Sequence, residues 1–169
     1  MERQLLAISP KARLLSVDYG KNPKDYQAAP IKITFRYEIP DYALRGEGEM
    51  FFRPMVMNNL YNQVRSYIWI DTSVENRKYG FKDGCSRLVE LDETIQLPAG
   101  YKLVSAAKDE TMQGVGADFE GSLVQKGNKV LLHNRLALKK RVYEASDWES
   151  FRNAVNAHKA YGEYLVIKK

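Results

Sequence analysis

Apolar and polar side chains alternate with a period of two along most of the chain, and this is the period of a β-strand. The clearest case lies between Pro30 and Pro40, where apolar side chains occupy every second position: Ile31, Ile33, Phe35, Tyr37 and Ile39. Residues 89–97 and 130–138 alternate in the same way, although Glu93 interrupts the apolar set of the first. Each segment is therefore predicted to be a strand with one buried face.

Weaker alternation predicts further strands, and turn residues separate them. These strands cover residues 13–19, 43–53, 64–71, 101–106, 119–125 and 164–168. Pro98-Ala99-Gly100 is a short connection, and Lys126-Gly127-Asn128-Lys129 is typical of a hairpin turn, because Gly and Asn tolerate positive φ angles. Residues 52–64 are compatible with a loop or a short helix, and residues 109–118 are interpreted as a mobile connection between strands.

One segment has the period of a helix. Ser146 and Glu149 have the spacing of a capping box, and the apolar side chains of Trp148, Phe151 and Val155 follow at intervals of three and four. Gly162 lies where a helix commonly ends. The pattern predicts a helix from about Asp147 to Ala160 that packs on the sheets and precedes the last strand.

About nine strands, one late helix and no βαβ alternation indicate a mainly β protein. We expect an antiparallel β-sandwich, immunoglobulin-like or related, with one C-terminal α-helix before the last strand. The length of 169 residues and the hydrophobic content of 44% fit a single domain over residues 1–169. An alternative boundary near residues 76–84 would divide the chain into two packed sandwiches.

The charge pattern argues against nucleic acid as a partner. The net charge is +5, but acidic residues are interspersed along the chain, and the only basic run is Lys139-Lys140-Arg141. Nucleic-acid-binding proteins usually concentrate Lys and Arg on one face. The apolar runs, such as Leu5-Leu6-Ala7-Ile8, are far shorter than the roughly 20 residues of a spanning helix, so we expect no membrane insertion by this segment.

The residues that most often carry catalysis are few. The chain has one cysteine, Cys85, and two histidines, His133 and His158, so we expect no disulfide, no metal site and no cofactor. Cys85 lies in a turn-like stretch with no nucleophile motif around it. His133 should point to solvent or to a neighbouring strand, and His158 falls near a helix C-terminus, where a cation is favoured. We interpret both histidines as structural or surface residues. A free-standing hydrolase would need Cys85 within hydrogen-bond reach of a histidine.

Two other motifs are better explained by structure than by chemistry. Glu90 and Asp92 lie on the same face of a predicted strand, and we expect that face to be exposed to solvent, as is typical of charges on an edge strand. A glycosidase would instead need two carboxylates that face each other across a cleft. Gly114 and Gly116 lack the remaining residues of a phosphate-binding loop. We therefore predict that this chain is not itself an enzyme.

Tyrosine is the one residue type in suggestive excess, with 11 copies. Aromatic faces can stack on sugars or peptides, which makes a carbohydrate- or peptide-binding module of an exported bacterial protein the alternative function. Five tyrosines near predicted loops form the candidate binding surface: Tyr19, Tyr26, Tyr42, Tyr61 and Tyr79.

The second half of the chain carries a set of motifs whose order is specific. They are Arg77-Lys78-Tyr79, IQLPAGYK at 95–102, Gly127-Asn128-Lys129-Val130, LALKKRVY at 136–143, SDWESFR at 146–152 and LVIKK at 165–169. In this order they resemble the C-terminal domain of bacterial proteins in which a β-sandwich domain of unknown function precedes a transglutaminase-like domain. The first half matches more loosely, through Gly46-Glu47-Gly48-Glu49.

The resemblance implies an accessory domain that packs on or positions a preceding transglutaminase-like domain, a putative cysteine protease that holds any Cys-His-Asp catalysis. It also implies that the chain is a C-terminal fragment of a longer parent, whose localisation is periplasmic or extracellular, whereas a native start at Met1 would favour the cytoplasm. The expected partner is then the neighbouring domain of the same parent chain, with protein or glycan as further partners. No catalytic residue of the family maps onto this sequence.

Overall fold

The computed structural model describes residues 2–20, 32–57, 68, 70–105 and 108–169. It divides into two units, Met1–Tyr42 and Ala43–Lys169, which are described separately. The division of the chain into domains stays a prediction, and the alternative boundary at residues 76–84 lies within the second unit.

The first unit consists of a helix and a two-stranded antiparallel sheet. Helix α1 spans Glu2–Ile8, strand β1 spans Arg13–Asp18 and strand β2 spans Thr34–Glu38. Phe35 and Tyr37 point to the same side of β2 with their ring centroids 5.7 Å apart, as the alternation predicts, but both are only half-buried. The alternation did not predict α1, whose Leu5 is 2% exposed.

The second unit holds the remaining strands and the C-terminal helix. The strands are β3 (Leu44–Arg45), β4 (Glu49–Phe52), β5 (Phe81–Lys82), β6 (Arg87–Gln96), β7 (Lys102–Leu103), β8 (Lys108–Met112), β9 (Ala117–Lys126), β10 (Lys129–Leu138), β11 (Val142–Tyr143) and β12 (Leu165–Lys168). Helix α2 spans Trp148–Ala160. The prediction of a mainly β, antiparallel fold with one C-terminal helix before the last strand is confirmed.

The larger sheet has the strand order β6-β10-β9-β8, and every pair in it is antiparallel. Its central strand β10 alternates as predicted, with Val130, Leu132, Leu136 and Leu138 buried on one face. The hairpin between β9 and β10 is also confirmed, because Lys126 pairs with Lys129 across a two-residue turn whose Gly127 has a φ of 61°. β6 lies at an edge of the described sheet, as its exposed Glu90 and Asp92 suggested.

The interpretation of residues 109–118 as a mobile connection is wrong. Most of this segment belongs to strands β8 and β9, which form a hairpin, and only residues 113–116 are a turn. The charged sequence of β8 hides its strand character, because it lacks apolar alternation. Gly114 and Gly116 are needed for packing, since an added Cβ would come within 2.4 Å of Ser150 Cβ and 3.0 Å of the Asp147 carbonyl oxygen, respectively.

Helix α2 lies on the buried face of this sheet. Trp148, Phe151 and Val155 are all buried, as the spacing predicts. The helix start differs from the prediction, because a 3-10 turn (Ala145–Asp147) precedes α2 and Asp147 Oδ2 accepts a hydrogen bond from the Glu144 amide at 2.9 Å. The observed capping box therefore begins at Glu144, with Asp147 as its third helical residue, and not at Ser146 as predicted.

An aromatic cluster connects the short pair β5–β11 to α2. Phe81 stacks on Tyr143 with ring centroids 4.6 Å apart, and the edges of Trp148 and Phe151 meet the Phe81 ring. The guanidinium of Arg77 lies 4.4 Å from the centroid of Trp148. This contact gives Arg77 a structural role at the margin of the core.

The second four-stranded sheet has the order β3-β4-β12-β7. Strand β12 lies in its centre, with Leu165 and Ile167 buried on one face. The predicted strands at residues 43–53 and 101–106 are shorter than expected, because a turn at residues 46–48 divides the first and the second is paired only as β7.

The segment before the larger gap in the described residues contacts β6. A helical turn covers residues 55–57, and the amides of Met55 and Val56 donate to the Glu93 carboxylate at 2.9 and 3.1 Å. The predicted strand at residues 64–71 and the rest of residues 52–64 lie mostly outside the described residues.

Candidate functional site

The five tyrosines of the predicted binding surface differ in their exposure, and two of them are not described by the structure. Tyr26 and Tyr61 lie outside the described residues. In the first unit Tyr19 is 53% exposed and Tyr42 is half-buried, and in the second unit Tyr79 is 73% exposed. The Lys78 ammonium lies 5.6 Å from the centroid of the Tyr79 ring. The binding surface stays a prediction, with Tyr79 as its most exposed described member.

Cys85 is exposed in the loop that leads into β6. Its carbonyl faces the Arg87 guanidinium at 3.5 Å. His133, on the neighbouring strand, is opposite Asp92, and the five residue steps from Arg87 to Asp92 span roughly 17 Å of extended chain. This strand geometry holds the thiol outside hydrogen-bond reach of His133.

Asp83, in the same loop, is the most buried carboxylate near Cys85. Asp83 Oδ1 accepts a hydrogen bond from Arg87 Nη2 at 2.8 Å, and its side chain is 1% exposed. The Asp83 amide donates to the Arg141 carbonyl at 2.9 Å. The ion pair holds Asp83 close to the start of β6, and the backbone hydrogen bond links the same residue to the segment that follows β10. Asp83 therefore has a structural role.

A row of polar side chains crosses the open face of the larger sheet. The register aligns Asp92 on β6, His133 on β10 and Ser122 on β9. His133 Nδ1 lies 2.7 Å from Asp92 Oδ1, so the carboxylate orients the imidazole. The prediction that His133 points to solvent or across to a neighbouring strand is confirmed.

This row has the residue types of a Ser-His-Asp triad, but the described residues around it provide no oxyanion hole. A triad needs donors aimed at the oxyanion of a tetrahedral intermediate. The amides of β9 and β10 around Ser122 and His133 are instead engaged in the sheet ladder, and Asp92 has 75% side-chain exposure. We interpret the row as a solvated cross-strand ion pair, which contributes little to stability.

His158 is buried against the other face of the same sheet. Its Nδ1 is hydrogen bonded to Asn134 Oδ1, and both side chains are buried. Desolvation by burial lowers the pKa of His158 to about 4 and the Lys159 ammonium acts in the same direction. The interpretation of His158 as a structural histidine is confirmed, and because it is neutral at physiological pH it does not supply the cation that a helix C-terminus favours.

The basic run Lys139-Lys140-Arg141 is used within the fold. Lys139 Nζ pairs with Asp118 at 2.7 Å, and Lys140 Nζ pairs with Asp147 at 2.8 Å. The Lys139 and Lys140 hydrogen bonds are the largest causes that hold the pKa values of Asp118 and Asp147 below the usual range. Two of the three cations are thus partly neutralised, which weakens the case for a nucleic-acid surface.

A cavity of about 700 Å³ lies between the β8–β9 turn and the first turns of α2. Its rim includes the exposed side chains of Val115, Ser146 and Asn153. Two polar groups in its lining hold the fold together, because Ser150 Oγ accepts from the Gly116 amide at 3.1 Å and the Asp147 carboxylate is bonded to Lys140. The buried polar groups of this cavity are thus already partnered within the fold.

The described residues offer neither a metal site nor a membrane-spanning helix. No cluster of three or more His, Cys, Asp and Glu side chains there is arranged to hold a metal ion. No described helix combines the length and the apolar character needed to cross a bilayer.

Comparison with known families identifies the larger part of the chain. The model of a domain of unknown function, DUF3858, matches residues 48–166. The chain belongs to the DUF3858 family. The matched residues include both four-stranded sheets, apart from β3 and the last two residues of β12, and they include all of α2. A search of the curated proteins finds no significant match to this DUF3858 chain.

The DUF3858 fold is similar to part of a crystal structure from Parabacteroides distasonis ATCC 8503, of a protein named a putative protease. The TM-score is 0.51 and the sequence identity is 13%, over 58% of this chain and 20% of that chain. The similarity therefore shows a shared fold, and the present chain spans about a fifth of the length of that protein.

Proposed function

We propose that the DUF3858 region is a non-catalytic accessory domain that packs on, and positions, a neighbouring catalytic domain of a longer parent chain. The similar fold from Parabacteroides distasonis occupies only 20% of its own chain, which supports a modular role. The motif order in the second half of the sequence supports a transglutaminase-like, cysteine-protease type of neighbour. On this proposal the parent is an exported bacterial protein, periplasmic or extracellular.

The observation that carries the proposal is that several ionisable side chains of the described residues form hydrogen bonds or ion pairs that stabilise the fold. His158 is buried as a neutral partner of Asn134, and Asp147 holds Lys140 at the start of α2. Glu93 accepts two amide hydrogen bonds, and burial raises its pKa. Side chains that are already hydrogen bonded within the fold in this way are poor candidates for acid-base or nucleophilic chemistry.

Two measurements test the proposal: the sequence of the native gene upstream of this chain, and the enzymatic activity of each encoded segment. We expect the sequence encoded directly upstream to contain a transglutaminase-like domain. The upstream segment, the present chain and the two joined should be assayed for hydrolysis of a fluorogenic peptide and for amine incorporation into casein. Turnover by the upstream segment and by the joined protein, with none by the present chain alone, is the expected result. Turnover by the present chain alone, or a native start at Met1, would overturn the proposal.

A binding module is the second candidate, and the exposure of Tyr79 is the observation that favours it. Sugar-binding platforms usually present several aromatic faces in a row. A glycan array and a peptide array probed with the chain would show ligands that the Tyr79→Ala variant no longer binds. Silence on both arrays would remove this candidate.

A further inference from the structure

An apolar row crosses all four strands of the sheet β3-β4-β12-β7. Leu44 on β3 is opposite Phe51 on β4, and Phe51 is opposite Val166 on β12. The Val104 amide donates to the Val166 carbonyl at 2.8 Å, which places Val104 opposite Val166 at the end of β7. Since residues directly opposite each other project from the same face, the four side chains form one continuous row about 15 Å wide. We call it the apolar row.

The apolar row lies on the side of the sheet away from the core. Leu165 and Ile167, which flank Val166 along β12, are buried on the other face. At the two ends of the row Leu44 is 59% exposed and Val104 is 55% exposed, while Phe51 and Val166 are half-buried. The row is thus a contiguous set of apolar side chains, exposed at both ends and half-buried in the centre, and such patches are characteristic of an interaction surface.

The larger sheet provides an internal comparison. Its open face carries the polar rows of Asp92, His133 and Ser122 and of Glu90, Arg135 and Glu120. Its other rows are mixed, because Leu88 and Val124 are also exposed on this face. The apolar row differs from them in that all four of its side chains are apolar.

Charged side chains on both sides of the apolar row indicate the charge that a binding partner should carry. On one side Lys168 pairs with Glu49 at 3.0 Å, and Lys102 lies opposite Lys168 on β7. On the other side the Arg53 guanidinium covers the Tyr164 ring, 4.6 Å from its centroid. Among the described residues, these charged side chains give each side of the row a net positive charge. A partner with an apolar centre and an acidic rim would complement it.

The same charges argue against a second copy of this chain as the partner. Face-to-face pairing through a two-fold axis brings each side of the row against the same or the opposite side of the other copy. Because cations stand on both sides, either arrangement would place like charges together.

We propose that the apolar row is the surface through which the DUF3858 domain docks on the neighbouring catalytic domain, against an apolar patch with an acidic rim. This inference rests on the proposed function and specifies its interface. The row alone is smaller than a stable interface of roughly 800 Å² per partner, so it forms the centre of a larger contact.

The experiment measures binding of this chain to the purified segment encoded directly upstream, by isothermal titration calorimetry. Leu44→Asp and Val104→Asp introduce a carboxylate at exposed ends of the row, where folding should tolerate it. We expect each to weaken binding about tenfold. Leu88→Asp is the matched control, because Leu88 is 54% exposed on the larger sheet. It should bind like the wild type. Circular dichroism melting of each variant would verify folding.

Charge is tested separately. Lys102→Glu should weaken binding about fivefold, and the loss should shrink as NaCl is raised from about 0.05 M to about 0.5 M. Lys126→Glu, in the exposed β9–β10 hairpin, is the control with the same charge change.

The outcomes separate this inference from the proposed function. Wild-type binding that survives Leu44→Asp and Val104→Asp would overturn the apolar row as the interface and leave the accessory function standing. Absence of wild-type binding would overturn both. Concentration-dependent dimerisation of the chain that Leu44→Asp abolishes would also overturn the inference, because the row would then serve a second copy.

Discussion

The imidazole of His158 is hydrogen bonded to the side chain of Asn134 in the interior of the second unit. Asn134 lies in the centre of β10 among buried leucines, and His158 lies in the last turn of α2. Each is the polar partner that the other needs, because an unsatisfied buried polar group costs about 1–3 kcal/mol. The Asn134 Nδ2 group also faces the His158 carbonyl at 3.4 Å. This pair fixes the position of α2 on the sheet.

The pH dependence of stability should report this pair. The pKa of His158 is about 4 in the folded chain, against about 6.5 when unfolded. The unfolded chain therefore binds more protons between these values, so the free energy of unfolding should fall as the pH is lowered through this window. The full loss is about 3 kcal/mol, and it should level off below the folded pKa. Urea denaturation at several pH values measures it.

His158→Gln isolates this contribution. Glu93 acts in the opposite direction, because burial raises its pKa, but it is present in both proteins. We expect the difference in pH slope between wild type and His158→Gln to equal the histidine contribution. The control Asn153→Gln changes an exposed, non-titrating side chain of the same helix and should keep the wild-type slope. An unchanged slope in His158→Gln would contradict the buried neutral histidine.

Asp147→Asn should destabilise the start of α2. The Asp147 carboxylate is 5% exposed and binds both Lys140 Nζ and the Glu144 amide. Loss of the charge would leave Lys140 without its anion, at a cost of about 1–2 kcal/mol in the free energy of unfolding. Asp92→Asn alters an exposed carboxylate and should change stability by less than about 0.5 kcal/mol. Equal effects of the two substitutions in urea denaturation would show that the Asp147 pair has no special weight.

Gly121→Ala should destabilise the contact between β9 and the end of α2. An added Cβ would come within 2.5 Å of Phe119 Cζ and 2.7 Å of Tyr161 Cζ. The Tyr161 ring has little freedom to move, because its hydroxyl donates to the Gly121 carbonyl at 2.8 Å. We expect a loss of about 2–3 kcal/mol by thermal or urea unfolding.

Gly84→Ala is the control for this substitution. A Cβ at Gly84 would meet only Arg87 Nη2, at 3.9 Å, so its effect should stay within about 0.5 kcal/mol. If Gly121→Ala were as mild as Gly84→Ala, the close packing of the Phe119 and Tyr161 rings on β9 would be disproved.

The polar row on the larger sheet should be dispensable. Ser122→Ala and His133→Gln should leave the free energy of unfolding within about 0.5 kcal/mol of the wild-type value, because the row is open to solvent. Neither should alter the background rate at which the chain hydrolyses p-nitrophenyl acetate. A drop in that rate in both variants would instead give the row a catalytic role.

The sequence determined the strands and the helix with the strongest periodicity. β6, β9, β10 and α2 follow the predicted segments, because their side chains alternate between core and solvent with the period of the backbone itself. The Gly127 turn was also visible, since few residues accept a positive φ. The seven-residue α1 and the charged strand β8 were missed, because a short helix and a strand without apolar alternation have no such local signal.

Only the tertiary structure decided which residues meet. Asn134 and His158 are 24 residues apart in sequence, and Phe51 and Val166 are further still, so no local pattern pairs them. The pairing follows from strand register and from the helix packing on one sheet face. That packing decided that His158, which the sequence left as a structural or a surface histidine, is a neutral core group. The register also joined Leu44, Phe51, Val166 and Val104, each unremarkable alone, into one exposed apolar row, because a sheet brings distant segments side by side.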